Sequence, residues 1–337
     1  SSFITAVSSI MESGQKTNGH FDHSNGTAQQ KETPSTDKHS TLHKYLTALR
    51  PWSFTASLTP VLLGAALSYK MQSQFNPMVL VIVSFTALAV HAAGNLVNTI
   101  YDFKRGVDNK KSDDRTLVDR QLSVNDLVTL GTVCYIIGCV GLFVLCVVSP
   151  AQVQHLALVY FCGLSGSFLY TGGLGLKYIA LGDIVIFLTF GPLTVMFAYL
   201  AITGGFGVAT ILYATPLALN IECVLHANNC RDRQSDGQVG IVTLAILLGP
   251  SLSYALFCVL LFGPYVAFGY VTIHCSKWFF LPTVTVMLAF SIERKFRSGC
   301  LDKLPQEVAK LNFILGLAFV LSILLSSKES LPFSEFF

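Results

Sequence analysis

Charge is what this sequence has least of. Asp, Glu, Lys and Arg make up only 12% of its 337 residues, against 52% apolar, and the mean hydropathy is strongly positive. That composition excludes a soluble enzyme and predicts a polytopic membrane protein embedded in the lipid bilayer. A net charge of +3 leaves no basic surface of the kind nucleic acid requires, so no nucleic-acid role is expected. The nine cysteines include no Cys-x-x-Cys pair and no His partner at ligand spacing. Cys134, Cys139, Cys146, Cys162 and Cys258 lie inside apolar stretches and read as small core hydrophobes in a reducing setting. The first ~40 residues lack an apolar run and lack Arg, are rich in Ser, Thr, Gln, Asn and Gly, and carry Glu12, Asp22, Glu32 and Asp37. They are expected to form a disordered polar tail over 1–42, neither a signal peptide nor a cleaved mitochondrial presequence.

What is present in abundance is apolar runs. Nine spans are expected, at 52–69, 77–101, 127–148, 153–171, 180–202, 207–228, 241–270, 278–293 and 309–327, each near the ~20 residues that cross a bilayer. The seventh is long and contains Gly263-Pro264, so it is expected to be kinked there or tilted. Nine spans place every one of the 22 Lys and Arg on the side of the N-terminal tail except Lys70, Lys277 and Lys328. By the positive-inside rule that side is cytosolic. The fold class expected is all-α: a membrane domain over 43–328 with a short tail at 329–337.

Two polar runs interrupt this pattern, Asn98-Thr-Ile-Tyr-Asp102-Phe-Lys-Arg-Gly-Val-Asp108 and Asn228-Asn229-Cys-Arg231-Asp232-Arg-Gln-Ser-Asp236. Residues four apart share a helix face. Asn95, Asn98 and Asp102 should therefore line one side of the end of span 2, and Asn228, Asp232 and Asp236 one side of the end of span 6. Gly106 would let the first run leave the helix and return Asp108 as a further ligand. Mg²⁺ takes hard oxygen ligands, one or two carboxylates at a time, and keeps water and substrate phosphate. One Asn-x-x-x-Asp is equally well a solvated helix cap, but two on one membrane face favour Mg²⁺ ions that grip a diphosphate. Converging carboxylates without a cation would repel one another.

A third polar segment, Tyr170-Thr-Gly-Gly-Leu-Gly-Leu-Lys177-Tyr178 followed by Asp183, falls between spans 4 and 5 on the same face. Its glycines permit close backbone approach, and Tyr170 and Lys177 offer a phenol and a point charge for a phosphate oxygen. Alone it would be a flexible connector with an interfacial anchor. Mid-span ionisable residues are few, notably His91 and Glu222, which weighs against a cation or metabolite carrier. Glu222 is open to two readings, a contact to an acceptor substrate or a structural polar bond.

At these residues the chain resembles the UbiA superfamily of intramembrane aromatic prenyltransferases, from about Leu49 to about Leu325. The motifs are Leu49-Arg-Pro-Trp-Ser53, Gly94-Asn-Leu-Val-Asn98, Tyr101 to Asp108, Lys111 to Asp119, Gly166 to Gly173, His226 to Asp232 and Gly240-Ile-Val-Thr243. The six-residue interval from Asp102 to Asp108 is similar to the MenA-like, naphthoquinone branch. The resemblance implies nine helices around a central cavity, with Asn98, Asp102, Asp108, Asn228, Asp232 and Asp236 as Mg²⁺ ligands. It implies a capping role for Tyr170 and Lys177, and substrate binding by Asn98, Asn228, Asn229, Lys177, Arg231, Arg50 and Glu222. Whether Asn228 or Asn229 is the ligand is left open by the helical phase. Many bacterial relatives carry Asp directly after the first Asn where this chain has Thr99, which leaves the number of ions open.

The activity implied is transfer of a geranylgeranyl group from geranylgeranyl diphosphate to reduced menadione, giving menaquinone-4. An electron-rich ring would attack the allylic cation, steadied by Tyr101, Phe103, Phe168 and Tyr170. The animal members of the branch further imply membranes of the endoplasmic reticulum and Golgi, with the mitochondrial membrane as an alternative, and HMG-CoA reductase as a partner. Two rival readings are a prenyltransferase with another ring acceptor, as in the ubiquinone pathway, and an isoprenoid-sensing regulator without turnover.

Overall fold

The computed structural model describes residues 41–107 and 116–337. The polar tail expected over 1–42, apart from its last two residues, and the segment carrying Asp108 lie outside the described residues. Every long element is a helix, as lipid demands when each backbone N–H and C=O must find a partner within its own segment. In chain order these are α1 (Thr41–Ala48), α2 (Thr55–Gln72), α3 (Pro77–Lys104), α4 (Val124–Val148), α5 (Val153–Thr171) and α6 (Gly182–Thr203). They continue with α7 (Ala209–Gln238), α8 (Leu244–His274), α9 (Phe280–Thr283), α10 (Val286–Arg297) and α11 (Leu304–Leu325).

Seven of these, α3 to α8 and α11, are long and apolar enough to cross a membrane among the described residues. The other two expected spans are less regular. Helix α2 has 18 residues broken up by Thr55, Ser57, Thr59 and Pro60, and the stretch at 278–293 is divided into α9 and α10. Nine spans are therefore not established by length and apolarity.

Local chemistry sets several boundaries. Helix α4 begins at Val124, ahead of the expected 127, because Ser123 and Asp126 form a reciprocal cap. Helix α8 breaks at Gly249 (φ 67°, ψ −179°), the residue before Pro250, rather than at Gly263-Pro264. The Ser253 hydroxyl bridges that break by donating to the Ala245 carbonyl at 3.1 Å. Helix α6 contains a π turn over Thr189–Leu193, where the Thr194 hydroxyl donates to the Thr189 carbonyl five residues back.

Packing relies on small residues, as expected where lipid removes the hydrophobic drive for helices to associate. A Cβ on Gly64 of α2 would lie 2.6 Å from the Val195 carbonyl of α6. The largest core joins Leu63, Leu67, Tyr199, Tyr213, Phe268, Phe279 and Phe319. The 329–337 segment is seated there too. Leu331 is buried in this core, Phe337 packs on Tyr199 and Tyr213, and the Tyr213 hydroxyl donates to the Pro332 carbonyl at 2.6 Å. All nine cysteines are free thiols.

Candidate active site

The two polar runs stay helical well past the apolar spans. Helix α3 carries Asn98 and Asp102 in its last two turns, and α7 continues ten residues beyond Asn228 before ending at Gln238. Each run thereby presents its amide and carboxylates along one face. Both line one central cavity of about 780 Å³, within the ~300–1,000 Å³ of typical ligand pockets. Asn98, Asp102, Asn228, Asn229, Asp232 and Asp236 all contribute to its wall, as do Arg50, Tyr170, Lys177 and Arg231. Of the expected site residues, Asp108 lies outside the described residues. Glu222 lines a separate crevice instead.

In the first cluster, Asn98 Nδ2 donates to Asp102 Oδ2 at 2.9 Å. Lys177 Nζ reaches the same oxygen at 2.6 Å and Asn98 Oδ1 at 3.1 Å. The Thr171 hydroxyl also donates to Asn98 Oδ1, at 3.1 Å. The other Asp102 oxygen accepts from the Tyr178 hydroxyl at 2.9 Å. Asp102 is buried, so these charge-assisted bonds act in a medium that strengthens them. Tyr178 went unassigned in the sequence because its bond to Asp102 spans 76 positions; its adjacency to Lys177 was the only signal. Burial, followed by the Asp102 charge and hydrogen bond, holds the Tyr178 phenol far above its usual range, so it remains a neutral donor.

The cap that delivers these groups depends on backbone conformation. Gly175 has φ 59° and turns the chain into the short 3₁₀ turn Leu176–Tyr178; a left-handed residue there favours glycine. The Arg105 guanidinium lies 4.0 Å over the Tyr178 ring. Val242 N donates to the Tyr178 carbonyl at 3.2 Å, stitching the cap to the connection between α7 and α8. This gives a structural role to the Gly240-Ile-Val-Thr243 motif.

The second cluster has its own cation. Arg231 grips Asp232 with Nε at 2.8 Å and Nη2 at 2.7 Å, and donates to Asn228 Oδ1 at 2.7 Å. Asn228 Nδ2 donates to Asp232 at 3.3 Å. Asp236 and Asn229 are buried at the same wall. Arg50, in a left-handed turn (φ 54°) before Pro51, is held at the cavity by its neighbours. Asn95 Nδ2 donates to the Leu49 carbonyl and to the Ser53 hydroxyl, both at 3.0 Å. Asn95 thus anchors the turn that presents Arg50 while lining the same cavity as the carboxylates.

Of the four aromatics expected around a cation, only Tyr170 lines the cavity; Trp52 and Phe190 take the places foreseen for Tyr101, Phe103 and Phe168. His91 is fixed between two serines, with Nδ1 2.7 Å from the Ser57 hydroxyl and Nε2 3.2 Å from that of Ser53, and it packs on Phe190. It is a buried, hydrogen-bonded histidine at the cavity wall.

The donor set fits Mg²⁺. Its atoms are carboxylate and amide oxygens, divided between two clusters that already attract cationic groups. Among the described residues no three acidic, His or Cys side chains converge tightly enough to enclose an ion alone. Such a shell suits an ion that keeps water and phosphate among its ligands.

Residues 57–325 match the UbiA prenyltransferase family. Over 288 residues, 86% of this chain and 86% of the relative, it is 58% identical to UbiA prenyltransferase domain-containing protein 1 of Ailuropoda melanoleuca. Among solved structures it is similar to an apo UbiA homolog from Aeropyrum pernix K1, with TM-score 0.65 and 16% identity over 80% of this chain and 97% of that one. It is also similar to a UbiA homolog from Archaeoglobus fulgidus bound to GPP and Mg²⁺, with TM-score 0.57 and 16% identity over 82% and 99%. The structural likeness supports the fold and the sequence identity the lineage: this chain belongs to the UbiA prenyltransferase family.

Proposed function

We propose that this membrane-embedded, UbiA-type prenyltransferase transfers a geranylgeranyl group from geranylgeranyl diphosphate to reduced menadione, with Mg²⁺, forming menaquinone-4. The observation that carries the reading is the pair of Asn-x-x-x-Asp clusters on the wall of one cavity, each already holding a basic side chain. The binding of GPP and Mg²⁺ by the Archaeoglobus fulgidus homolog supports it.

Asn98 and Asp102 on α3, with Asn228, Asp232 and Asp236 on α7, would hold the metal. Bound there, Mg²⁺ supplies charge neutralisation for the departing diphosphate. Lys177 and Arg231 have their N–H groups at the same oxygens, so each can turn from carboxylate to diphosphate and stabilise the charge that develops there. Thr171 and Tyr178 keep the first cluster in place during that exchange. Tyr170, Trp52 and Phe190 offer π faces to an allylic cation. Apolar wall residues such as Ile186, Ile221 and Leu225 exclude the water that would quench it. Cytosolic orientation of the capping loop, residence in the endoplasmic reticulum and Golgi, and association with HMG-CoA reductase belong to the same proposal; protease protection and co-purification test them.

The protein in lipid nanodiscs with geranylgeranyl diphosphate, reduced menadione and Mg²⁺ should yield menaquinone-4 by mass spectrometry. Asp102→Asn and Asp236→Asn should abolish it. Folded wild-type protein that binds the diphosphate but prenylates only another ring, such as 4-hydroxybenzoate, would overturn the acceptor assignment.

A further inference from the structure

Along one face of α3, His91, Asn95, Asn98 and Asp102 follow one another at helical spacing, and all four line the central cavity. Asn98 and Asp102 belong to its metal and diphosphate end. Asn95 stands about one turn further in, and His91 one turn beyond that, edge-on to Phe190 with 4.7 Å between ring centroids. C1 of a prenyl chain is bonded directly to the diphosphate that Asn98 and Asp102 would hold. A ring that attacks C1 must lie beside it, which puts the ring at the level of Asn95.

The hydrogen bonds around Asn95 fix which way its amide points. The Leu49 carbonyl can only accept, so the atom 3.0 Å from it is Nδ2. The second Nδ2 hydrogen goes to Ser53 Oγ, also at 3.0 Å. Ser53 gives its own hydrogen to the Arg50 carbonyl at 2.8 Å, so it accepts from His91 Nε2 at 3.2 Å as well. His91 therefore carries its hydrogen on Nε2, and its Nδ1 accepts from the Ser57 hydroxyl at 2.7 Å. The donors of this group are all used within it. Asn95 Oδ1 is left over: among the described residues nothing donates to it. It is not one of the polar atoms sealed from solvent, so it opens on the cavity that Asn95 lines. Arg50 reaches the other way, toward the diphosphate end, with Nη2 3.5 Å from Thr99 Oγ1. Ser167 of α5 lines the cavity too, but a hydroxyl can donate or accept and so sorts nothing.

We propose that Asn95 Oδ1 accepts a hydrogen bond from the ring hydroxyl next to the carbon that is prenylated, and so selects the reduced, phenolic acceptor over the oxidised quinone. The proposal rests on the ring-prenylation reading above. A quinone carbonyl brings only lone pairs to that oxygen and leaves both acceptors unpaired. A phenol brings a hydrogen. An O–H bond drawn toward Oδ1 also raises the electron density at the adjacent ring carbon, the one that forms the bond to C1. The hydroxyl proton stays on its own oxygen, because a neutral amide is no base. Asn95 thus acts at both ends of its amide, Nδ2 seating the Arg50 turn and Oδ1 reading the ring.

The test uses the two monomethyl ethers of reduced menadione, with geranylgeranyl diphosphate and Mg²⁺, on protein in nanodiscs. One ether is blocked at the hydroxyl next to the open ring carbon, the other at the far hydroxyl. Wild type should prenylate the far-blocked ether and lose about tenfold or more in kcat/KM with the near-blocked one. Asn95→Leu should erase that preference, whereas a preference set by the bulk of the methyl group would persist in it. Asn95→Asp keeps an acceptor oxygen and should keep the preference. Ser53→Ala loosens the Arg50 turn and leaves Oδ1 in place, so it should weaken diphosphate affinity with the preference intact; this separates reading the ring from holding Arg50. Menaquinone-4 formed by a wild type that uses both ethers alike would overturn this inference and leave the reading above standing, as would a preference unchanged in Asn95→Leu. Should Asn95→Leu not fold, Asn95→Asp decides: retention of the preference supports the inference and its loss overturns it. A wild type that prenylates no ring would remove the reading and the inference together.

Discussion

Lys177 occupies the oxygens that a metal ion would need, which makes Lys177→Met an informative perturbation. Its Nζ lies 2.6 Å from Asp102 Oδ2 and 3.1 Å from Asn98 Oδ1, and the two charged side chains are only 14% and 5% exposed. Breaking a buried ion pair by removing one partner costs about 3–5 kcal/mol. Asp102 keeps two donors, Asn98 and Tyr178, so the lower end, about 3 kcal/mol, applies. Without divalent cation the variant should therefore unfold at a clearly lower temperature than wild type. Mg²⁺ should reverse this, since an ion entering wild type must first displace Lys177 and in the variant need not. If the whole 3 kcal/mol is recovered, the site tightens by about 100-fold, at 1.4 kcal/mol per factor of ten. Linkage then gives about 2.7 kcal/mol more Mg²⁺-dependent stabilisation in the variant at saturating ion. The assay is thermal unfolding in nanodiscs across a Mg²⁺ titration, with Lys177→Arg as the charge-preserving control. Equal Mg²⁺-dependent shifts in wild type and Lys177→Met, or no loss of stability without the ion, would refute the competition between lysine and metal.

Three further outcomes follow from the same geometry. Tyr178→Phe removes a charge-assisted bond worth about 1.5–3 kcal/mol and should slow turnover by about 10- to 100-fold. Because burial and the Asp102 charge make the folded Tyr178 phenol ionise far above the ordinary 10.0, its contribution to stability is complete below about pH 10 and is lost as the pH rises further. Alkaline unfolding should accordingly be steeper in wild type than in the Phe variant. Arg231→Met leaves Asp232 without its bidentate partner and should weaken diphosphate binding in equilibrium dialysis more than it weakens acceptor binding. Gly64→Val forces a Cβ into the Val195 carbonyl and should cost about 1–3 kcal/mol, read as a lower unfolding temperature with the Mg²⁺ response retained.

The helix-borne part of this site could be read in the sequence because an amide and a carboxylate four residues apart must share a face once the segment is helical. That placed Asn98 with Asp102 and Asn228 with Asp232 before any fold was known. The same rule could not show that α7 runs on to Gln238, since residues 229–238 are polar and carry no apolar period. Contacts between distant segments were out of reach: the Tyr178–Asp102 bond and the seat of Arg50's turn on Asn95 both depend on how helices pack. Phe103 and Phe168 were overvalued for proximity in sequence, while Trp52 and Phe190 reach the cavity from other helices. Arg231 was expected at the site from the resemblance, but its hold on Asp232 could not be read from the sequence.

The π turn at Thr189–Leu193 divides α6 into two halves whose phases are set independently. Val185 and Ile186 before it, with Thr189 and Phe190 at its start, line the central cavity; after it, Val195, Phe197, Ala198 and Tyr199 are buried in packing. One residue of a regular helix is about 100° of rotation. Deleting a single residue from the later part of the turn, after Phe190, would regularise the helix and turn Tyr199 away from Phe337, while leaving the cavity-facing residues before it in phase. The irregular turn thus works as a phase shifter, allowing the lining of the reaction chamber and the packing that supports it to be altered separately along one continuous rod.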